Sequence, residues 1–190
     1  VGTGAGAGDV TFGSTLALSS GGSDDLTITA GTGAVTLTGA VTLNDNDLTI
    51  ASSQSSVITG GISGSTGALD ITDSGSTDVN GALAMSGAGT ITLDGATLGA
   101  DVTTVGGAIN FGGAVTADQG SATAVGTGAG AGDVTFGSTL ALTSGGNDDL
   151  SITAGMEIIH EKYEQYLDEA YYADVTKCYQ NLCTSHENNT

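Results

Sequence analysis

Short stretches in which apolar and small polar residues alternate recur along residues 1–155, separated by glycine, asparagine, aspartate or serine. Such alternation places the apolar side chains on one face of a β-strand and the polar ones on the other. The first four stretches are 25–28, 34–37, 40–43 and 47–50. The side chains predicted to lie in the core are Leu26, Ile28, Val35, Leu37, Val41, Leu43, Leu48 and Ile50. Those predicted to face solvent are Thr27, Thr29, Thr36, Thr38, Thr42 and Thr49.

The spacing of these strands indicates a coil. The stretch at 47–50 repeats the one at 25–28 after 22 residues, and similar stretches follow at 68–71 and 90–93. Three short strands per coil of about 22 residues, with turn residues at the corners, predict an all-β parallel β-helix, or β-solenoid. The step shortens from Ile91 to Phe111 and lengthens from there to Phe136. A β-sandwich is the alternative, although it has no reason to keep a constant coil length.

A long segment also returns almost unchanged. Residues 1–31 recur at 125–155, and the differing pairs are Ser19/Thr143, Ser23/Asn147 and Thr27/Ser151. A return of this length indicates a tandem array, in which each unit contacts mainly its neighbours and the length follows the copy number. We therefore expect residues 1–155 to be a solenoid segment whose partners are neighbouring repeats. Its open ends are candidates for self-association.

Charge and composition exclude several functions. Residues 1–155 contain no Lys, Arg, His, Glu, Tyr or Cys, and the whole chain carries a net charge of -19. Nucleic acids and anionic lipids are poor partners for such a chain, because both are bound through basic residues. No apolar run approaches the roughly 20 residues of a membrane-spanning helix.

Enzymatic function is not expected either, and no cofactor is implied. A Ser-His-Asp triad fails because His160 and His186 both lie near the carboxyl end. Paired aspartates could hydrolyse glycosides, as in carbohydrate-active β-helices, and this is a second alternative. Residues 1–155, the body of the chain, have no Trp, Tyr, Lys or Arg with which to hold a sugar.

Three stretches support a resemblance to a known class of proteins: DLTITAGTGAVTLTGAVTLNDNDLTI, SVITGGISGSTGALDI and GAGTITLDGATL. They resemble the β-helical repeats of large bacterial surface and secreted adhesins, of the filamentous-haemagglutinin-like and autotransporter-passenger kinds. The resemblance covers residues 1–155 and includes no catalytic motif. It implies a right-handed β-helix at the cell surface or outside the cell, serving as a structural or adhesive stalk. A host-cell or matrix surface is the partner that such a role implies.

Two kinds of small-ligand surface are alternatives. Carboxylate clusters supply the oxygen ligands that Ca²⁺ prefers, and the candidate ligands are Asp24, Asp25, Asp45, Asp47, Asp148 and Asp149. Corner residues of a solenoid have the same composition, since Asp and Asn favour turns. Outward threonine pairs at 27/29, 36/38 and 90/92 raise the possibility of ice binding. The same pairs also suit an exposed strand through β-propensity alone.

The segment 156–190 differs in kind from the body. Apolar and aromatic residues at three- and four-residue spacing predict an amphipathic helix over 157–173. Three interpretations remain open: a helix that caps the solenoid, the start of a separate carboxyl module, or a junction with an unrelated sequence. Cys178 and Cys183 are a candidate disulfide, provided that the chain is extracellular.

Overall fold

The computed structural model describes residues 1–155 apart from 5, 7, 20, 22, 53, 119–122 and 144–148. The chain divides into two units, Val1–Gly155 and Met156–Thr190. The helix predicted over 157–173, the cysteine pair Cys178 and Cys183, and the calcium candidate Asp148 lie outside the described residues.

The described residues form twenty short strands. In chain order they are β1 (Val10–Phe12), β2 (Leu16–Ala17), β3 (Leu26–Gly31), β4 (Val35–Leu37), β5 (Val41–Asn44), β6 (Leu48–Ser52), β7 (Ser56–Ile58), β8 (Ile62–Gly64), β9 (Leu69–Asp73), β10 (Thr77–Val79), β11 (Leu83–Met85), β12 (Ile91–Leu93), β13 (Ala96–Leu98), β14 (Val102–Thr103), β15 (Ile109–Phe111), β16 (Val115–Ala117), β17 (Thr123–Gly126), β18 (Val134–Phe136), β19 (Leu140–Leu142) and β20 (Leu150–Thr153).

These strands form three sheets, and consecutive strands belong to different sheets. Sheet 1 has the order β1-β4-β7-β10-β13-β16-β19, and sheet 2 has the order β2-β5-β8-β11-β14-β17-β20. Sheet 3 runs β3-β6-β9-β12-β15-β18. Neighbours in each sheet are parallel and differ by three in strand number. The fold is therefore a parallel β-solenoid with three strands per coil, and the β-sandwich, whose sheets are antiparallel, is excluded.

The register gives the length of each coil. Along sheet 3 the first residues of paired strands lie 22, 21 and 22 residues apart from Leu26 to Ile91. The next step, to Ile109, is 18 residues, and the last, to Val134, is 25 residues. The short coil and the long coil thus occur where the sequence predicts them.

The core is a narrow column of stacked aliphatic side chains inside the three sheets. The predicted alternation is confirmed in β4, β5 and β6, where the predicted core residues are buried and the threonines between them are exposed or half-buried. Leu26 is only partly buried. Burial of a Leu or Ile side chain stabilises a fold by about 1.5–3 kcal/mol. The stacked core side chains therefore supply much of the free energy that stabilises the solenoid.

One core column ends in aromatic rings. Along sheet 3 the residues in register are Ile28, Ile50, Ile71, Leu93, Phe111 and Phe136. The rings of Phe111 and Phe136 stack, with centroids 4.9 Å apart and planes 13° from parallel. The parallel register therefore places like residues directly over one another from coil to coil.

Glycines allow the coils to approach closely at the corner that precedes sheet 3. Gly67, Gly89, Gly107 and Gly132 occupy this corner in successive coils, each two residues before a strand. A Cβ atom on Gly107 would lie 1.9 Å from the carbonyl oxygen of Gly89, and one on Gly89 would lie 2.4 Å from that of Gly67. A larger residue at Gly89 or Gly107 would force the backbones apart, so the corner requires glycine in these coils.

Candidate functional site

Aspartates at the corners bind the coil that follows them. Four aspartates, each directly before a strand, accept a hydrogen bond from a backbone amide one coil further along the chain. The pairs are Asp9 with Ala34 at 2.8 Å, Asp25 with Asp47 at 3.0 Å, Asp47 with Ala68 at 2.7 Å and Asp101 with Ala124 at 2.8 Å. A charged acceptor makes a stronger bond to an amide than a neutral one. These carboxylates therefore connect successive coils.

The run 44–47 uses its side chains in the same way. Asn46 is fully buried, and its side chain accepts a hydrogen bond from the amide of Asp24 at 2.9 Å. It also donates to the carbonyls of Ser19 and Leu43, at 2.6 and 2.9 Å. Asn44 has a positive φ of 55°, which asparagine tolerates better than most residues, and it donates to the carbonyl of Leu18 at 2.7 Å.

Most of the calcium candidates that the structure describes accept hydrogen bonds from groups of the protein. Asp24 accepts a hydrogen bond from the hydroxyl of Ser19, and Asp45 accepts one from that of Thr66 at 3.2 Å. Asp149 is exposed. Within the described part of the chain, no group of three or more His, Cys, Asp or Glu side chains is placed to hold a metal ion. Calcium binding stays a prediction, which a comparison of melting temperatures with and without millimolar Ca²⁺ tests.

The role of the corner aspartates gives a first prediction. Changing Asp47 to alanine removes the acceptor of the Ala68 amide, and we expect the free energy of unfolding to fall by about 1–2 kcal/mol. Asp78→Ala is the matched control, because Asp78 lies on the outward side of β10 and the change removes the same charge. Its cost should be within about 0.5 kcal/mol. Urea denaturation of both variants measures the difference, and equal losses would contradict the role of Asp47 in connecting successive coils.

One aspartate lies inside the solenoid. Asp73, at the end of β9, is 3% exposed. Its Oδ2 atom accepts hydrogen bonds from the amide of Ser56 at 2.9 Å and the hydroxyl of Thr77 at 3.2 Å. Its Oδ1 atom and the Ser56 hydroxyl have no partner within the described residues. Burial raises the pKa of Asp73 above its ordinary 3.8, with a smaller contribution from the Asp94 carboxylate, and the hydrogen bonds oppose the shift.

This shift predicts a pH dependence. Because the pKa of Asp73 is higher in the folded chain than in the unfolded one, the folded chain binds the proton more tightly. The stability that this proton supplies is fully present below the unfolded pKa and is lost as the pH rises through the folded pKa. We therefore expect wild type to lose stability relative to Asp73→Asn as the pH rises above about 4. Denaturation midpoints of both chains across that range test it, and a difference independent of pH would contradict it.

A shallow cleft opens beside Asp73, at the corner between sheets 3 and 1. It has a volume of about 540 Å³, and its lining includes Asp73, Asp94, Gly95, Gly112 and Gly113. The lining includes carboxylate groups and, at the glycines, backbone peptide groups that no side chain covers. Such a surface can accept hydrogen bonds from a neutral or cationic ligand.

The outer faces of the sheets carry ranks of small polar side chains. On sheet 2, Thr42, Ser63, Ala84 and Thr103 are in register, and they line a second depression of about 470 Å³. On sheet 3, Asp70 separates Thr49 from Thr92. The threonine pairs considered for ice binding are thus distributed over sheets 1 and 3 and do not form one continuous rank.

Sequence reasoning did not identify Asp9, Asp101 and Asp73 as structural residues. A local signal for the first two exists, since Asp followed by Val or Leu occurs directly before a strand at 9–10, 25–26, 47–48 and 101–102. The burial of Asp73 has no such signal. It follows from the position of Asp73 at a corner that lies over Ser56 of the preceding coil.

Comparison of the chain with protein-family models, with curated proteins and with solved structures gives no match. Among the described residues, no helix is long and apolar enough to cross a membrane.

Proposed function

We propose that this chain is a non-enzymatic, extracellular segment of a large bacterial repeat protein, in which the solenoid serves as a stalk and as an adhesive surface. The observation that carries the proposal is the stacking of like coils together with the near-identical return of residues 1–31 at 125–155. A solenoid gains length with each added coil while its cross-section stays constant. This is the property that a spacer needs.

We also propose that the solenoid is right-handed. Parallel strands joined by a crossover in one sheet are right-handed in nearly all proteins, because of the right-handed twist of the strands. A right-handed coil is also what the resemblance to bacterial adhesins implies.

The chemistry of the surface supports a structural role. The corner aspartates that could have served as acids, bases or ligands accept hydrogen bonds from backbone amides of the next coil. The outer faces consist mostly of threonine, serine, alanine and aspartate, and residues 1–155 contain no cationic side chain. A binding partner would therefore be neutral or cationic, and it would contact a flat face of a sheet.

Surface display tests the proposal. The whole chain is placed between an outer-membrane anchor and a terminal epitope tag, and antibody binding to the tag is measured on intact cells. We expect the tag to be more accessible with wild type than with Leu48→Asp, which has the same length but a disrupted core. Equal accessibility would contradict the stalk. Attachment of the same cells to matrix-coated plates, compared with cells that carry the anchor alone, tests the adhesive role separately.

A further inference from the structure

The two copies of the repeated segment have different surroundings. Ile28 and Ile152 are equivalent residues in the two copies, yet Ile28 is fully buried and Ile152 is 46% exposed. Leu142, the counterpart of the partly buried Leu18, is 55% exposed. The last coil therefore exposes apolar side chains whose counterparts in the first copy are covered.

The first copy identifies what covers that surface. There, β1, β2 and β3 pair with β4, β5 and β6, which lie within residues 35–52. The carboxylates of Asp9 and Asp25 also bind this coil, through the amides of Ala34 and Asp47. The counterparts of these two aspartates in the last coil are Asp133 and Asp149. The apolar side chains and the aspartates that contact the following coil in the first copy thus both recur at 125–155.

The copies nevertheless lie on different faces. The strand that follows GTGAGAGD is β1 in the first copy and β18 in the second, so one repeat spans seventeen of the described strands. Seventeen strands make five coils and two strands over. Accordingly β1 belongs to sheet 1 and β18 to sheet 3, while β2 belongs to sheet 2 and β19 to sheet 1. The second copy is displaced by one sheet around the solenoid.

We propose that the coil at 125–155 is the docking surface for a further copy of the repeat joined in tandem at Gly155, where the present sequence continues with Met156. The first coil of that copy has the sequence of residues 32–52. Each copy is then turned by one sheet relative to the one before it. On a spacing of about 4.8 Å per coil, one copy adds about 27 Å of length. A surface feature of the repeat appears on the three faces in turn and returns to its first face after three copies. This arrangement is independent of whether the stalk adheres to another surface.

An extended chain tests the docking. A second copy of residues 32–155 is inserted between Gly155 and Met156, so the parent chain stays complete on either side of the insertion. Ile152→Asp is then made in the parent and in the extended chain. We expect the drop in melting temperature to be at least twice as large in the extended chain, where Ile152 is covered as Ile28 is. Ile28→Asp in the parent is the reference for a covered site. Equal drops at position 152 in the two chains would overturn the proposal.

Disulfide formation tests the rotation. In a background with Cys178→Ser and Cys183→Ser, Thr135→Cys is combined with Thr36→Cys of the inserted copy. These positions correspond to Thr11 and Thr36, which are in register in the first copy. Facing residues of adjacent parallel strands are near enough for a disulfide. Thr11→Cys with Thr36→Cys in the parent chain is the positive control.

The competing arrangement keeps every copy on the same sheet. It would place position 36 of the inserted copy beside Ala141 on sheet 1, so Ala141→Cys with the same inserted cysteine is the second pair. We expect the 135 pair to form as fully as the positive control and the 141 pair to stay reduced. Formation of the 141 pair, or of neither pair while the control forms, would overturn the rotation.

Discussion

Replacing Leu48 or Ile50 by aspartate should lower the free energy of unfolding by about 3–5 kcal/mol. Both side chains are fully buried, and each lies in a core column between residues of the neighbouring coils. An unpaired carboxylate in that column loses its hydration and also removes the aliphatic packing. Chemical denaturation followed by circular dichroism measures the loss.

Thr49 provides the matched control, because it lies between the two core residues and points outward from β6. Thr49→Asp introduces the same charge on the same strand. Its neighbours in register are Thr27 and Asp70, so some repulsion between carboxylates is expected. The total cost should stay below about 1 kcal/mol. Similar losses at positions 48, 49 and 50 would contradict the assignment of inward and outward faces.

The second large effect is expected at Gly107. Its substitution by alanine places a Cβ atom 1.9 Å from the carbonyl oxygen of Gly89, which is a backbone atom with little freedom to move. Relief requires the two coils to separate at this corner, where their strands β12 and β15 are held in register by hydrogen bonds. We expect a loss of about 3 kcal/mol or more in stability, measured by urea denaturation.

Gly13→Ala is the control for this substitution. A Cβ atom on Gly13 has no other atom within 4 Å, so the added methyl group is accommodated. Its effect should be within about 0.5 kcal/mol. A tolerated alanine at 107 would contradict the close approach of the two coils at this corner.

Much of the fold follows from the sequence because each strand carries its own alternation. Leu48, Thr49 and Ile50 define the inward and outward sides of β6 without any knowledge of its neighbours. The near-constant step then orders the strands into coils, and the change of step after Ile91 is visible in the sequence as well. Local pattern and spacing together are enough for a parallel solenoid.

The parts that could not be predicted depend on contacts between coils. Asp73 and Asn46 are polar residues at corners, and their burial results from what lies on the adjacent coil. The displacement of the repeat by one sheet depends on the number of strands between copies, and the extra residues in the corners obscure that number. The carboxylates of Asp25 and Asp47, considered as calcium ligands, accept hydrogen bonds from backbone amides of the next coil. The sequence alone does not show that these amides lie nearby.

The most direct test of the solenoid is a set of distances along sheet 3. Spin labels are attached to cysteines at Thr27 together with Thr92, Asn110 or Thr135, which are in register three, four and five coils away. Cys178 and Cys183 are first replaced by serine. At about 4.8 Å per coil, the backbone separations should be about 14, 19 and 24 Å, rising by one coil spacing at each step. Electron–electron double resonance reports these increments. A distance from 27 to 135 no longer than that from 27 to 92 would contradict the stacked coils.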